Sequence, residues 1–445
     1  MNIKIIVPVF FIIVLSLLFF STFSQTNGSN STKYPQGPDI TSSDRVLIVA
    51  PHPDDETVAA AGIIRYCVEN NIPVYVIVVT NGGNGQLSVT RYHESLNAMR
   101  ILGLPQDNIT FFDYTQGIDS LFNENWDKPI NNYGNHTQDA FAYQMNASYN
   151  GVSLEKNVES VITKFQPTII IYPDPNDSNP DHWGVSSFVE YATNKLNYKG
   201  QMYTYLVHVS SIWPFPRGYF SSTYLLPPSF LENQNRWVLF PVSDSDELID
   251  YNAINSYKSQ ISSDPTYLQS FVRKNELFIP NHEITVIKNN VSIDYTNGSK
   301  FPKTIFQDPT GDALIKPPLE VFYSTFSNLN LFDITDVGFE VDNNTTWMSL
   351  KTVGGISKIG IYHFRIRSFN NNRIDIQVQN GTAKYQIISD NSESTGPLEV
   401  KVIGNGIIVG IPSSMFTNTK YMIGIDAMKN SKYLDRAGFY TLNLV

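Results

Sequence analysis

Cysteine is almost absent from this sequence, and basic residues are scarce. The only cysteine among 445 residues is Cys67, which excludes an intrachain disulfide framework and a cysteine-rich zinc site. Asp and Glu outnumber Lys and Arg by 41 to 31, for a net charge of -10. This balance argues against nucleic acid as a partner, because such binders normally carry a basic face. With 42% hydrophobic residues the chain can still build a core, and its length predicts two or three domains.

Long apolar runs are likewise missing, apart from residues 5–20. This run follows Lys4 and spans 16 residues, broken only by Pro8 and Ser16. As a helix it would reach roughly 24 Å, short of the ~30 Å hydrocarbon core of a bilayer. We predict that residues 1–24 are a signal peptide, with an uncleaved membrane anchor as the alternative, and that residues 25–43 are a polar linker. The protein is therefore expected to be extracellular, either secreted or anchored to the outer face of the cell membrane.

Glycosylation triplets of the form N-x-S/T agree with export, although a chain rich in Asn, Ser and Thr also forms some by chance. They predict a glycoprotein. The triplets begin at Asn27, Asn30, Asn108, Asn135, Asn146, Asn290, Asn297, Asn343, Asn344 and Asn380.

Residues 44–280 alternate short apolar runs with segments of helical periodicity. Strands are predicted at 46–50, 74–79, 108–112, 168–172 and 203–209, and helices at 57–70, 91–102, 154–165 and 183–196. Further helices at 245–261 and 266–278 are predicted to close the domain, and the aromatic stretch 115–150 is predicted to be a loop or lid. This alternation predicts an α/β fold, with a Rossmann-like, mostly parallel sheet and helices on both faces.

Residues 281–445 change to a period of two. Tyr362, Phe364 and Ile366 alternate with polar residues, and Asn405-Gly406 between apolar runs is a hairpin signal. The α/β domain is therefore predicted to be followed by an all-β sandwich.

Chemistry-bearing residues follow two of the predicted strands. The first group is Pro51-His52-Pro53-Asp54-Asp55-Glu56, directly after strand 46–50, and the second is the loop 173–182, which ends in Asn179-Pro180-Asp181-His182. Functional groups of open α/β sheets collect at the carboxyl ends of strands, so both loops are expected to open at one edge. Imidazoles plus a carboxylate are typical of catalytic zinc.

Plainer interpretations exist for each loop alone. Asp54 or Asp55 could only cap the next helix, and a histidine beside proline could simply pack. The recurrence of the pattern after two buried strands favours a metal site. Asn176, in the second loop, also begins a glycosylation triplet, but a glycan there would crowd the cleft, so we expect it to be unmodified.

These two motifs resemble the signatures of the LmbE-like family, which includes N-acetylglucosaminyl-phosphatidylinositol de-N-acetylases. The resemblance covers roughly residues 44–280, and includes Thr80-Asn81-Gly82-Gly83, Arg91, Glu94 and Tyr257-Lys258-Ser259-Gln260. It implies that His52, Asp55 and His182 bind one Zn²⁺ per chain, that Asp54 is the general base, and that Asp181 orients a neighbouring histidine or the ligand loop.

One position departs from the family pattern. The second motif commonly reads H-x-D-H, and here Asn179 stands where the first histidine would be. Asn can donate a hydrogen bond but cannot carry a proton. Either Asp54 serves as both base and acid, or another residue substitutes, or activity is reduced. His208 is the candidate substitute, with a structural histidine packed near Trp213 as the alternative.

Two further residues are candidates for binding substrate. Arg91 could hold a sugar hydroxyl or phosphate, or only form a surface ion pair on its helix. Asp113, after the third strand, could line the cleft.

Acidic loops of the β domain carry a weaker signal. Residues 308–312 and 332–336 resemble parts of carbohydrate-binding sandwiches of the DOMON-like or family 9 type. Their aspartates could bind Ca²⁺, or could only shape turns.

Together these features predict an exported, zinc-dependent hydrolase that removes the acetyl group from an N-acetylglucosamine-type amide in a glycan, glycolipid or glycoside. The expected partners are an N-acetylated sugar substrate and a surface polysaccharide or membrane. One alternative is a catalytically weak glycan-binding protein that keeps the metal site. Another is a non-haem iron oxygenase, since two histidines and a carboxylate also form that metal's facial triad.

Overall fold

The computed structural model describes residues 33–130, 143, 148–209, 213–233, 236–295, 297–313, 329–389 and 392–445. The predicted signal peptide and residues 131–142 and 144–147 of the predicted lid lie outside these residues. Among the described residues, no helix combines the length and apolar character needed to cross a bilayer.

The first domain is built on a seven-stranded sheet whose strands are apolar runs buried on both faces. The strands are β1 Val46–Ala50, β2 Val74–Thr80, β3 Ile109–Tyr114, β4 Ile169–Pro173, β5 Gln201–Tyr205, β6 Val238–Pro241 and β7 Asn275–Pro280. Their order is β3-β2-β1-β4-β5-β7-β6. The strands β1 to β5 are parallel, and β7 pairs antiparallel with both β5 and β6. The predicted mostly parallel sheet is confirmed.

Helices follow most of these strands. They are α1 Asp55–Glu69, α2 Gln86–Leu102, α3 Ile118–Asn123, α4 Gly151–Phe165, α5 Pro180–Lys195, α6 Asp244–Ile254, α7 Lys258–Ile261 and α8 Pro265–Gln269. Two separate apolar clusters use alternate residues of the same strands, Val46 and Ile48 in one and Leu47 and Val49 in the other. Because neighbouring strand residues point to opposite faces, the sheet lies between two helix layers, as predicted.

Four predicted segments differ from the structure. The predicted strand 203–209 is too long at its end, since β5 stops at Tyr205. The predicted helix 266–278 is wrong beyond Gln269, since Asn275–Pro280 forms strand β7. A short apolar run such as Leu277-Phe278-Ile279 fits a buried strand as well as a helix, and here it forms a strand between β5 and β6. The predicted helix 245–261 is two helices, and the predicted lid contains the helix α3.

The second domain is antiparallel. Its strands are β8 Ile284–Val286, β9 Thr304–Gln307, β10 Ile334–Val341, β11 Thr345–Thr352, β12 Ile361–Arg367, β13 Arg373–Gln379, β14 Thr382–Ser389, β15 Ser392–Ile403, β16 Gly406–Pro412, β17 Lys420–Lys429 and β18 Lys432–Leu444. They follow one continuous order, β8-β18-β17-β12-β13-β14-β15-β16-β11-β10-β9. Only the short β8 pairs in parallel, with β18.

A single apolar core joins the two halves of this sheet. Phe364 and Ile376, from β12 and β13, share it with Val337, Met348 and Val409 from β10, β11 and β16. The sheet therefore folds over on itself into two facing layers, which agrees with the predicted β fold. The hairpin signal at 405–406 is also confirmed, because β15 and β16 pair through Ile403 and Gly406.

The two domains are packed against each other through β17, β18 and the helices α3 and α5. Met422 and Phe439 belong to the apolar cluster of the α/β domain, and the ring of Phe439 lies 5.2 Å from that of Trp183. Arg436 on β18 forms an ion pair with Asp119 at the start of α3. The β domain thus contacts the helix that begins at the second motif.

Gly184 sets how closely α3 approaches α5. A Cβ atom on Gly184 would lie 2.5 Å from the backbone nitrogen of Asp119 and 2.7 Å from the carbonyl carbon of Ile118. These are backbone atoms, so they cannot swing aside. We expect Gly184→Ala to destabilise the protein by about 1–3 kcal/mol through overpacking. Urea unfolding followed by circular dichroism measures this change.

Gly355→Ala is the matched control. A Cβ there would meet nothing closer than 4.0 Å. Equal unfolding midpoints for the two variants would contradict the close approach of α3 and α5.

Candidate metal centre

The two motif loops leave neighbouring strands at the same edge of the sheet. β1 and β4 are adjacent and parallel, with Leu47 opposite Ile170. The chain runs in opposite lateral directions from this pair, towards β2 on one side and β5 on the other. Such a switch point opens a crevice at the carboxyl ends of the strands. The structure therefore brings the two loops together where the sequence places them.

Three side-chain atoms converge in this crevice. His52 Nδ1 lies 3.1 Å and His182 Nε2 lies 3.0 Å from Asp55 Oδ2, and the two nitrogens are 3.3 Å apart. All three residues are buried. Three ligand atoms held tetrahedrally around one ion at ~2.1 Å would lie roughly 3.4 Å apart. The donor set therefore fits a zinc ion, with two imidazole nitrogens and one carboxylate oxygen as ligands.

A second carboxylate lies behind each imidazole. Asp181 Oδ2 is 3.1 Å from His52 Nε2, and Asp177 Oδ2 is 3.1 Å from His182 Nδ1. Carboxylates in this position fix the tautomer that leaves the other ring nitrogen available to a metal. The position of Asp181 matches the orienting role that the family resemblance implies. Asp177 was not predicted, although it stands in the same loop, because an aspartate among Pro, Asn and Ser also suits a turn.

Both carboxylates also receive backbone hydrogen bonds. Asp181 Oδ1 accepts from the N–H groups of Gly117 and Ile118, at 2.7 and 2.9 Å. Asp177 Oδ2 accepts from those of Val207 and His208, both at 2.9 Å. Each carboxylate is thereby fixed by a loop that follows a different strand.

Acidic neighbours dominate the electrostatics of the imidazoles. Burial disfavours the charged ring, but hydrogen bonds with Asp181 and Asp55 raise the pKa of His52 to about 9. The pKa of His182 is likewise raised well above its ordinary value, against its burial, by Asp177 and Asp55. A metal must therefore displace protons here, and its affinity should increase with pH.

Asp54 lies beside the three donors without joining them. It occupies the position before α1 with a φ of 139°, and its side chain makes no helix-capping hydrogen bond. Its backbone N–H donates to Glu56 Oε2 at 3.0 Å, which helps hold this left-handed conformation. Burial raises the pKa of Asp54 to about 7, whereas Arg91 favours the charged form. The capping interpretation therefore does not apply, and the group is poised to exchange a proton.

Arg91 contacts Asp54 and the loops around it. Its guanidinium lies 2.9 Å from Asp54 Oδ1 and donates to the carbonyls of Gly82 and Pro53, at 2.7 and 2.6 Å. A side chain at Gly82 would collide with it, since a Cβ would be 2.7 Å from Arg91 Nη1. Arg91 is buried, so a surface ion pair does not describe it, and the predicted contact with a sugar hydroxyl or phosphate stays a prediction. Its position is that of a residue that holds Asp54.

Asn179 caps the helix α5. Its side-chain oxygen accepts from the backbone N–H of Asp181 at 2.9 Å. The predicted catalytic contribution of Asn179 stays a prediction. Its oxygen satisfies one of the open N–H groups at the start of the helix.

His208 lies next to the ligands. Its ring is 4.7 Å from that of His182, and its Nδ1 is 3.0 Å from the hydroxyl of Tyr267. Burial lowers the pKa of His208 to about 4, and His182 adds to this effect. A neutral His208 is unsuited to act as a proton-donating acid at neutral pH. It could still hydrogen-bond a developing oxyanion.

Asp113 lies at the carboxyl end of β3 with a φ of 61°, and it is buried. Its backbone carbonyl accepts a hydrogen bond from Tyr149 at 3.1 Å. A contact between Asp113 and substrate stays a prediction.

Tyr257 and Glu94 connect the first motif with α7. The Tyr257 hydroxyl donates to Glu56 Oε1 at 2.7 Å, and Glu94 accepts from the backbone and hydroxyl of Ser259 at 2.7 and 2.6 Å. These contacts place Glu94 and residues 257–260, which are part of the family resemblance, next to the first motif. Neither Glu56 nor Tyr257 was predicted to have a role, and each supports Asp54 indirectly.

Asp181→Asn tests the carboxylate behind His52. The amide oxygen could still accept from Gly117 and Ile118, but the amide nitrogen would face His52 Nε2 and disfavour the ligating tautomer. We expect zinc affinity to fall about 10- to 100-fold. Titration against a competing chelator measures it.

The control is Asp107→Asn, at an exposed position away from the crevice. Identical zinc affinities for wild type and Asp181→Asn would show that Asp181 does not orient His52.

Comparison with known proteins agrees with this geometry. Residues 47–193 match the family model described as PIG-L: GlcNAc-PI de-N-acetylase, a segment that contains both motifs. No curated protein matches the chain.

Three solved structures illustrate the structural likeness. A conserved protein from Thermus thermophilus is 18% identical, with 51% of this chain and 84% of that chain covered and a TM-score of 0.33. The A40926 pseudoaglycone deacetylase is 15% identical, with 53% and 96% covered and a TM-score of 0.36. N,N'-diacetylchitobiose deacetylase from Pyrococcus horikoshii is 17% identical, with 59% and 91% covered and a TM-score of 0.35. At such identities and scores the likeness carries no argument about activity. The predicted resemblance is confirmed by the family match, which covers residues 47–193, about a third of the chain, and includes both motifs.

Proposed function

We propose that this protein is a zinc-dependent amide hydrolase that removes the acetyl group from an N-acetylglucosamine-type sugar in a glycan, glycolipid or glycoside. The N-deacetylase class follows from the family of residues 47–193. The observation that carries the proposal is the convergence of His52, Asp55 and His182 beside Asp54, a carboxylate outside the ligand set. Zinc is favoured over the iron of an oxygenase because the ligands follow parallel strands of an α/β sheet.

Zinc held by His52, Asp55 and His182 would act as a Lewis acid that activates water and polarises the amide carbonyl. Asp54, as the carboxylate, takes the proton that the attacking water loses. Its pKa of about 7 suits that exchange at neutral pH. A divalent cation nearby would lower this pKa and keep Asp54 in its basic form.

The leaving amine also needs a proton. Asn179 has none to give and its oxygen caps α5, while the lowered pKa of His208 keeps that ring neutral. Asp54 therefore returns the proton that it took from water, and acts first as base and then as acid. The ion pair with Arg91 and the hydrogen bond to Glu56 hold it in place for both steps.

The second candidate function is that of a catalytically weak protein that keeps the metal and binds glycans. It is favoured by one observation, the use of Asn179 as a helix cap at the position where the family commonly has a histidine. Zinc-loaded wild-type protein that binds N-acetylated sugars without releasing acetate would support this candidate.

We also propose that the protein is exported and that its β domain docks it on a surface polysaccharide or membrane. Support for export comes from the apolar run at 5–20 and the glycosylation triplets. Support for docking is limited to the antiparallel fold that follows the α/β domain.

Asp54→Asn tests the catalytic assignment. Removing a general base typically costs 10²- to 10⁴-fold, so we expect acetate release to fall by about that factor while zinc stays bound stoichiometrically. Suitable substrates are N-acetylglucosamine, N,N'-diacetylchitobiose and N-acetylglucosaminyl-phosphatidylinositol. Wild-type kcat/KM should fall about tenfold per pH unit below the pKa of Asp54, since only the carboxylate accepts a proton, and the variant should lack this limb.

Asp107→Asn, at an exposed position, is the control for this series. Undiminished acetate release by Asp54→Asn would refute the role of Asp54. Stoichiometric iron with dioxygen uptake, in protein purified without added metal, would instead favour the oxygenase.

Export is tested by mass spectrometry of the protein from its native host. We expect it outside the cytoplasm, with the mature chain beginning after residue 24 or with the apolar run retained as an anchor. Asn176 should be unmodified, because its amide donates to Asp174 at 2.8 Å and to Tyr440 at 3.1 Å between the domains. A cytoplasmic full-length chain would contradict export, and a glycan at Asn176 would contradict the packing.

A further inference from the structure

A second group of carboxylates lies in the β domain, away from the histidines. Asp308, Asp312 and Asp435 each place one oxygen within 4.8 Å of the others. Asp308 and Asp312 enclose the turn after β9, and Asp435 lies on β18, at the far side of the same sheet order. The fold therefore brings together acids that are more than a hundred residues apart.

Asp333 joins this group from a third segment, just before β10. Its Oδ2 accepts from the backbone N–H of Gly311 at 2.8 Å, inside the turn that carries Asp308 and Asp312. Gly311 has a φ of 87°, which permits the turn. Asp333 is thereby held beside the turn that carries Asp308 and Asp312.

Unsatisfied oxygen atoms remain in this group. Asp308 is only 3% exposed and Asp333 only 4%, yet Asp308 Oδ2 and Asp333 Oδ1 have no hydrogen-bond partner among the described residues. Asp312 Oδ1 also lacks one. A buried oxygen normally finds a partner, so each of these atoms indicates a missing ligand.

Positive charge is missing as well. Within the described part of the chain, no Lys, Arg or His forms an ion pair with any of the four aspartates, and the neighbouring Arg436 pairs with Asp119 instead. Asp435 has only backbone donors, with Ile334 N at 2.6 Å and Arg436 N at 2.8 Å. Asp308, Asp333 and Asp435 are buried and Asp312 is half-buried, and burying ionised carboxylates without a cation would cost several kcal/mol per charge.

We propose that Asp308, Asp312, Asp333 and Asp435 form a calcium-binding site, separate from the zinc site. All the donors are oxygens, and none of the four residues is a nitrogen or sulfur ligand, which favours a hard cation. Ca²⁺ accepts six to eight oxygen ligands in flexible geometry, whereas Mg²⁺ usually binds only one or two carboxylates and keeps several waters. Four aspartates from three segments suit the larger ion.

The location of this site connects it with the second motif loop. A cleft beside it is lined by Asn176, Ser178 and Trp183 from the α/β domain and by Asp312, Asp435 and Arg436 from the β domain. This cleft gives an ion a route in from solvent. Bound calcium would fix the position of β18. On this strand, the Tyr440 hydroxyl accepts a hydrogen bond from the Asn176 amide, and Arg436 forms an ion pair with Asp119. The role of the ion is therefore to stabilise the packing of the two domains.

Calorimetric titration of the full-length protein with calcium chloride tests the proposal. The protein is first stripped of metals and reloaded with one equivalent of zinc, so that the histidine site is filled. Wild type should bind one Ca²⁺ per chain, and Asp308→Asn and Asp435→Asn should each bind it at least about tenfold more weakly. Asp336→Asn, on β10 but outside the group, should bind calcium like wild type.

Stability measurements distinguish a calcium-binding site from an acidic cluster that binds no ion. Without calcium, Asp308→Asn should unfold at a higher temperature than wild type, because it removes one repelling charge. With saturating calcium the order should reverse, since only wild type gains the binding free energy. Failure of wild type to bind calcium at millimolar concentration, tighter binding of Mg²⁺ than of Ca²⁺, or a calcium response unchanged in both variants would overturn the proposal.

Discussion

Two imidazole nitrogens and one carboxylate oxygen lie within 3.3 Å of one another at the switch point between β1 and β4. The arrangement of the surrounding charged residues depends on this convergence. Asp54, Asp55, Glu56, Asp177 and Asp181 are all buried there, with Arg91 and two histidines as the cations within reach. Carboxylates taken out of water at this density need positive charge or protons. A divalent cation held by His52, Asp55 and His182 would supply that charge without using Asp54 as a ligand.

A series of contacts connects the metal ligands with the second domain. One oxygen of Asp181 orients His52, and the other accepts hydrogen bonds from the backbone N–H groups of Gly117 and Ile118 at the start of α3. Asp119, one residue into α3, pairs with Arg436 on β18, and Trp183, next to His182, packs against Phe439. The β domain is therefore coupled to the ligand loop by two short chains of contacts. A change in domain packing would be felt at His52 and His182 before it was felt elsewhere in the crevice.

Much of the fold and the ligand set could be read from the sequence, because both depend on local patterns. Buried parallel strands are continuous apolar runs, and the two Pro/Asp/His loops follow two of them directly. What could not be read depends on partners distant in the chain. Tyr257 reaches Glu56 across 201 residues, and Asp435 meets Asp308 only when β18 crosses the sheet. The contacts of Arg91 with Gly82 and Asp54 were missed, because the sequence shows its helix position but not which loops its side chain reaches.

Asn179 shows how one side chain can change the path of a proton without changing the metal ligands. The side-chain oxygen of Asn179 caps α5, and its amide nitrogen carries no proton that titrates near neutral pH. Asn is among the best capping residues, and here the cap holds the backbone of Asp181, whose carboxylate orients His52. The substitution thus favours a fixed ligand loop over a second acid. Since burial and the neighbouring His182 lower the pKa of His208, the proposed reaction depends on Asp54 both to accept the proton of water and to return it to the leaving amine.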